Sequence, residues 1–292
     1  MSELGGILHL SPDLSITRMG YGAMQLPGPG VWGPPRDHDE AIAVLRSVVE
    51  AGINHIDTAD FYGHHVSNDL IREALHPYSD QLHIVTKVGA ARDADGNWIM
   101  DRTPAALTKQ VESNLVHLGL ETLDVVNLRM GTPQVPAEEP IGELVGALVE
   151  LQQVGKIRHI GLSTVTEAQL DEARAITPIV GLQQLYNLVN RGDEPLLRRA
   201  AELGIAYVPY FPLGGFTPLQ SGVLAAVAER LGATPQQVAL AWLLQRSPNI
   251  ALIPGTSSRS HLAENIAAAS LELPADALAE LDAIETADEA AA

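Results

Sequence analysis

The sequence has no cysteine. Disulfides, thiolate metal centres and cysteine nucleophiles are therefore excluded, while either redox compartment is tolerated. Cations are scarce: 18 Lys and Arg stand against 36 Asp and Glu, giving a formal net charge of −18. That balance argues against nucleic acid and against an anionic membrane as partners. Its plainest reading is solubility, and an anionic ligand would have to be met by a few local cations or by backbone N–H groups. No apolar stretch reaches membrane-spanning length, and MSELGGILHL lacks a basic segment before an apolar one, so a soluble, cytoplasmic protein is expected. There is no internal repeat, low-complexity tract or linker, and residues 1–292 are expected to form one domain.

What is present is alternation. Short apolar runs recur at 18–24, 52–57, 82–87, 123–128, 157–162, 179–183, 204–209 and 250–253. Runs apolar at nearly every position suit strands buried on both faces of a parallel sheet. Between them lie amphipathic segments with helix start signals, such as Asp37 before "HDEAIAVLRSVVE" and Thr103-Pro104 before "AALTKQVESNLVHLGL". Eight strands in strict alternation with helices predict a (β/α)8 TIM barrel with right-handed crossovers. The doubly wound sheet is the alternative, but no GxGxxG joins a strand to a helix here. Ahead of the first strand, "GILHLSPDLSITRM" reads as an N-terminal β-hairpin turning at Ser11-Pro12-Asp13 and closing the bottom of the barrel.

Active sites of such barrels form at the C-terminal ends of the strands. Asp57, Lys87, Arg129, Ser163 with Thr164, Gln183, Tyr210 and the stretch Gly255-Thr256-Ser257-Ser258 stand at seven of those ends. A single acid there is ordinarily a loop cap, whereas seven polar ends on one rim argue for a site. Asp57 and Lys87, on neighbouring strands, can form a buried ion pair, which is poor support for stability and so favours a functional reason. Tyr62, on the loop after Asp57, can reach that lysine, and an ammonium beside a phenol favours the phenolate. Such a tyrosine suits a general acid; the alternative is an ordinary packed ring.

The stretches "GINHIDTADFYG", "IVTKVG", "GKIRHIGLS", "GLQQLYNLVNR", "YVPYFPLGG" and "IPGTSS…EN" together resemble an aldo-keto reductase of the bacterial NADPH-dependent oxidoreductase type, in the family's order from about residue 14 to 273. The resemblance implies a (β/α)8 barrel that reduces aldehydes and ketones with NADP(H) and uses no metal. It implies Tyr62 as proton donor, Lys87 as its cationic partner and Asp57 as the carboxylate holding the lysine. It puts Ser163 and Gln183 on the nicotinamide carboxamide, with Tyr210 stacked on the ring and Gly22, Ala23 and Met24 beside it. The loop 211–216, with Phe211, Pro212, Leu213, Gly214 and Gly215, would wrap the pyrophosphate. Gly255, Thr256, Ser257 and Ser258 would hold the adenosine phosphate, and Glu264 and Asn265 would meet the adenine.

Four positions depart from the family pattern. Arg129 stands where a histidine is usual; a guanidinium cannot relay a proton, but it can orient a carbonyl or bind a carboxylate. Thr164 replaces an asparagine. Gly255 and His261 stand where the 2′-phosphate site often has lysine and arginine, leaving Arg259 to take that phosphate. Trp32 and Trp98 are candidates to line an apolar substrate pocket, or are simple loop packing. His64-His65 reads as loop surface, with no carboxylate at ligand spacing and no metal expected. The expected partner is a small carbonyl compound, the expected state a monomer or weak homo-oligomer. A barrel that binds the cofactor as a regulatory or redox-sensing unit is the competing function.

Overall fold

A computed structural model describes residues 4–132, 135–215 and 221–286. The chain opens with an antiparallel hairpin, β1 (Ile7–Ser11) and β2 (Leu14–Thr17). There follow β3 (Tyr21–Gly22), α1 (His38–Glu50), β4 (His55–Asp57), α2 (Val66–Leu75) and β5 (His83–Val88). A second hairpin, β6 (Ala90–Arg92) and β7 (Trp98–Met100), precedes α3 (Pro104–Leu118). Strands and helices then alternate through β8 (Leu123–Arg129), α4 (Gly142–Gln153), β9 (Ile157–Ser163), α5 (Glu167–Arg174), β10 (Ile179–Leu185), α6 (Glu194–Glu202) and β11 (Ala206–Tyr210). The helices α7 (Gly222–Leu231), α8 (Pro235–Arg246), α9 (Arg259–Ala267) and α10 (Ala275–Asp282) complete the described chain. None of the described helices is long and apolar enough to cross a membrane.

Local chemistry sets many of the boundaries. The Asp37 side chain accepts from Glu40 N at 3.0 Å and starts α1. Thr103 caps α3, Pro104 takes the first position, and Gly119 ends the helix with φ 68°. Thr166 with Gln169, and Thr234 with Gln237, form capping boxes on α5 and α8.

Seven strands form one parallel sheet in the order β11-β10-β9-β8-β5-β4-β3. The expected eighth strand at 250–253 is present as single parallel bridges rather than a ladder. Ala251 N donates to Tyr207 O and Leu252 N to Arg18 O, so this segment bonds both edges of the sheet and closes the barrel. The seam is tight: a Cβ on Gly22 would lie 2.5 Å from Ile253 O. Tyr21 donates from its hydroxyl to Thr256 O at 2.6 Å and fixes the segment after the seam. The helices pack their buried faces, Val44, Leu45 and Val48 of α1 or Leu240, Leu243 and Leu244 of α8, into one large core. The N-terminal hairpin brings Leu14 and Ile16 into a separate cluster with Val125, Val180 and Ala251.

Candidate active site

The parallel register delivers Asp57, Lys87, Arg129, Gln183 and Tyr210 to one end of the sheet, where they line a cavity of about 540 Å³. Asp57 and Lys87 are almost wholly buried, at 3% and 2% exposure, and the Lys87 Nζ to Asp57 Oδ1 distance is 2.5 Å. Lys87 also donates to Thr58 O at 2.9 Å, and Gln183 Nε2 donates to Asp57 Oδ2 at 2.7 Å. Both carboxylate oxygens are thus held by donors. Burial is the largest single influence on Lys87 and favours the neutral amine. The charge of Asp57, with charge and hydrogen bonding from Tyr62, outweighs it, and the net direction is upward. Lys87 remains an ammonium.

Tyr62 sits on the turn between β4 and α2, which is closed by Tyr62 N donating to Ala59 O and Ser67 N donating to Tyr62 O. Its ring lies 5.0 Å from Lys87 Nζ and packs edge-on to Phe61 and Trp98. Asp57, Lys87 and Tyr62 therefore meet at the floor of the cavity, in the arrangement the sequence suggested.

Arg129 closes β8 and donates from Nε to Gly131 O at 3.2 Å. Its charge opposes the burial that pushes the Tyr210 hydroxyl upward. Thr164 follows β9 in a left-handed backbone conformation, φ 56°, and its hydroxyl lies 3.4 Å from Tyr210 OH and 3.5 Å from Ser163 Oγ. Ser163 and Thr164 are buried and do not line the cavity; Gln183 and Tyr210 do. Gly22, Met24, Phe211, Pro212, Leu213, Gly215 and Gly255, the expected cofactor contacts, line the cavity, together with Gln25, Pro235 and Gln236, which sequence reasoning did not pick out. Ala23 is buried beside it and accepts from Ser67 Oγ at 3.0 Å. Gly214 N donates to Phe211 O, tightening that loop, while Phe216 lies outside the described residues.

The two tryptophans separate. Trp98, on β7, lines the cavity and is 45% exposed, with Ile99 and Met100 beside it. Trp32 does not line it: its ring stacks on His64 at 5.8 Å and lies 5.6 Å from the Arg92 guanidinium, supporting the loop. His64 is exposed, as a surface loop residue should be. His65 is not: it is half-buried, and Asp60, five residues earlier, lies 2.7 Å from its Nδ1.

At the far end, Ser257, Arg259, His261 and Glu264 are exposed around the start of α9, while Thr256 and Asn265 are buried. Arg259 is engaged. Its backbone N and its Nε each lie 3.0 Å from the Glu40 carboxylate, so that this acid of α1 caps α9. Helix N-termini attract anions, and here the anion is part of the chain.

Of the two residues expected at a nicotinamide carboxamide, Gln183 faces the cavity and fits that group, while Ser163 does not line it. Gln183 Oε1 is buried and has no partner among the described residues, as an acceptor awaiting an amide N–H would be.

The profile of the aldo/keto reductase family matches residues 18–286. A protein of Escherichia coli (strain K12) named pyridoxine 4-dehydrogenase is 59% identical over 272 residues, covering 92% of this chain and 95% of that protein. The holo form of an aldo-keto reductase from Bacillus halodurans is similar with a TM-score of 0.78 at 26% identity, covering 96% of each chain. An aldo/keto reductase from Klebsiella pneumoniae in complex with NADP and acetate gives a TM-score of 0.75 at 25% identity, over 92% of this chain and 91% of that one.

Proposed function

The chain belongs to the aldo/keto reductase family, and on that premise we propose that it is an NADP(H)-dependent oxidoreductase interconverting a carbonyl compound and its alcohol, with Tyr62 as the proton donor. The observation that carries the reading is the buried Asp57–Lys87 pair set against the Tyr62 ring at the floor of the cavity. Asp57 holds Lys87 charged, and Lys87 stabilises negative charge on the phenol oxygen as the proton leaves for the carbonyl oxygen. Gln183 ties Asp57 from the other side and presents Oε1 for the nicotinamide carboxamide. When bound, the cofactor supplies or accepts the hydride. Tyr210, at the end of β11, and the loop from Phe211 to Gly215 are the surfaces against which it would lie, and Arg259, at the start of α9, is the cation we assign to the adenosine 2′-phosphate. The hairpin β1–β2, through Leu14 and Ile16, we read as the closure of the barrel's opposite end.

The relative named pyridoxine 4-dehydrogenase suggests the substrate class: a hydroxylated pyridine carbinol and its aldehyde. A cavity lined by Met24, Tyr62, Trp98 and Met100 suits a planar aromatic ring. Arg129, on the same wall, suits an oxygen anion on that ring.

Cofactor oxidation by the purified protein, with NADPH and pyridoxal and with a panel of other aldehydes and ketones, tests the proposal. Turnover is expected, and Tyr62→Phe should lower kcat by about 10²- to 10⁴-fold, the usual worth of a general acid, at unchanged cofactor affinity. No turnover across the panel, or an undiminished kcat in the variant, would refute it.

A further inference from the structure

Where α2 and α3 meet, away from the catalytic cavity, four ionisable side chains from three stretches of chain converge. Asp60 and His65 lie on the turn between β4 and α2, Asp69 on α2, and His117 in the last turn of α3. His65 Nδ1 lies 2.7 Å from Asp60 Oδ1, and His117 Nδ1 lies 2.7 Å from Asp69 Oδ1. The two imidazole rings stack face to face, 3.8 Å apart and 6° from parallel. One donor atom each of Asp60, His65 and His117 falls within 4.8 Å of the other two. None of the four residues lines the catalytic cavity. Asp60 lines instead a separate cavity of about 390 Å³ with Asp101, Thr103 and Lys109.

Three features distinguish this cluster from two surface ion pairs. First, the cluster draws on separate stretches of chain: Asp60 and His65 from the turn before α2 and His117 from the end of α3 bring their ligand atoms within 4.8 Å of one another. Second, His117 has one nitrogen fixed by Asp69, a carboxylate outside the three ligand residues. That arrangement orients histidine ligands in metal centres and raises their basicity. Third, His64 and His65 both adopt left-handed backbone conformations, φ 57° and 73°, which are uncommon for a residue with a side chain. Strain of that kind costs roughly 1–3 kcal/mol and persists where the surroundings impose it. Here it places the His65 ring over that of His117.

We propose that Asp60, His65 and His117 form a binding site for a divalent transition-metal ion of the zinc class, with Asp69 orienting His117. Two imidazoles and one carboxylate match zinc, cobalt or nickel better than magnesium or calcium, which prefer all-oxygen shells. Zinc bonds of about 2.0–2.1 Å put tetrahedral ligand atoms roughly 3.4 Å apart, and an imidazole binds through a lone pair in its own plane, so one of the two stacked rings turns out of the stack to close the site. Tyr62 lies between Asp60 and His65 in the chain, so a bound ion would clamp its turn to α3.

Zinc titrated into the chelator-treated full chain, followed by calorimetry, with cobalt absorption as the spectroscopic reporter, tests the site. One ion per chain is expected, with a rise in thermal unfolding midpoint, because the ion binds only the folded arrangement. His117→Gln should abolish the binding and the thermal shift while leaving metal-free carbonyl reduction unchanged. Asp69→Asn should weaken binding about 10- to 100-fold, and serves as the test should His117→Gln fail to fold. No saturable binding, or the same affinity in wild type and both variants, would overturn the proposal and leave the cluster as two ion pairs joining α2 to α3.

Discussion

Glu40, half-buried on α1, reaches across to the start of α9. Its carboxylate takes the backbone N–H at the start of α9 and the Nε and Nη2 of Arg259. A 2′-phosphate seeking the same donors must compete with it. Glu40→Gln should therefore tighten NADPH binding about 2- to 5-fold, the worth of removing a like charge at a helix N-terminus. NADH, which lacks that phosphate, should change less. Weaker NADPH binding in the variant, measured by fluorescence titration, would mean that Glu40 positions Arg259 for the phosphate rather than opposing it. This contact joins residues 219 positions apart and left no trace in sequence spacing; the same is true of His65 and His117. Asp57, Tyr62 and Lys87 were legible because an acid, a phenol and an amine at the ends of apolar runs have few structural uses. Thr164 was legible only as a substitution. The structure adds that its backbone is left-handed, φ 56°, a conformation asparagine adopts more readily than a β-branched residue.

The hairpin β6–β7 lines the cavity with Ala90, Trp98, Ile99 and Met100. Arg92 fastens it, with its guanidinium 3.4 Å over the Trp98 ring and hydrogen bonds to Phe61 O, Gly30 O, Val31 O and Gly96 O. Trp98, Ile99 and Met100 remain partly exposed along the cavity. An aromatic substrate would cover them. Trp98→Ala should then raise KM for an aromatic aldehyde about 2- to 10-fold, the worth of a lost aromatic pair, and leave a short aliphatic aldehyde unaffected. Equal changes for both substrates would place Trp98 in flap folding alone. This hairpin was not read from the sequence because three-residue strands show no period. Its signal was the turn "DADGN", where Asp93 Oδ1 accepts from Asp95 N and Asn97 N. The regular strands and α1, α3 and α8 were read because their apolar faces and caps are local. Helices α2, α7 and α10 were not picked out as segments. The eighth strand was placed correctly, yet it forms only bridges: Pro254 has no N–H to extend a ladder at the seam.

Over the whole molecule, two buried titrations oppose each other. Burial pushes the Asp193 carboxyl, which accepts from Tyr207 OH at 2.6 Å, up from 3.8 to about 6. Burial, and then the charge of His83, push His55 down from 6.5 to about 4. Between about pH 4 and 6 the folded chain keeps a proton on Asp193 that the unfolded chain loses, so this group's contribution to stability falls as pH rises. In the same window the unfolded chain holds a proton on His55 that the folded chain refuses, so that contribution rises with pH. The two slopes cancel, and each chain state carries one proton on the pair. Asp193→Asn removes one side of this balance, while its amide oxygen can still accept from Tyr207. At neutral pH the variant is spared the burial of a charge, and the gap between about 6 and 3.8 corresponds to as much as about 3 kcal/mol. The variant should therefore be more stable than wild type above pH 6, and the advantage should vanish as pH falls below about 4, where both side chains are neutral. Losing one negative charge from a chain of net charge −18 acts in the same direction at neutral pH, but it leaves the carboxyl's own window unchanged. Urea unfolding of both proteins at a series of pH values measures the difference directly. A difference that stays flat across the series would show that Asp193 titrates as an ordinary surface acid, and that the slope from His55 stands unopposed in the wild type.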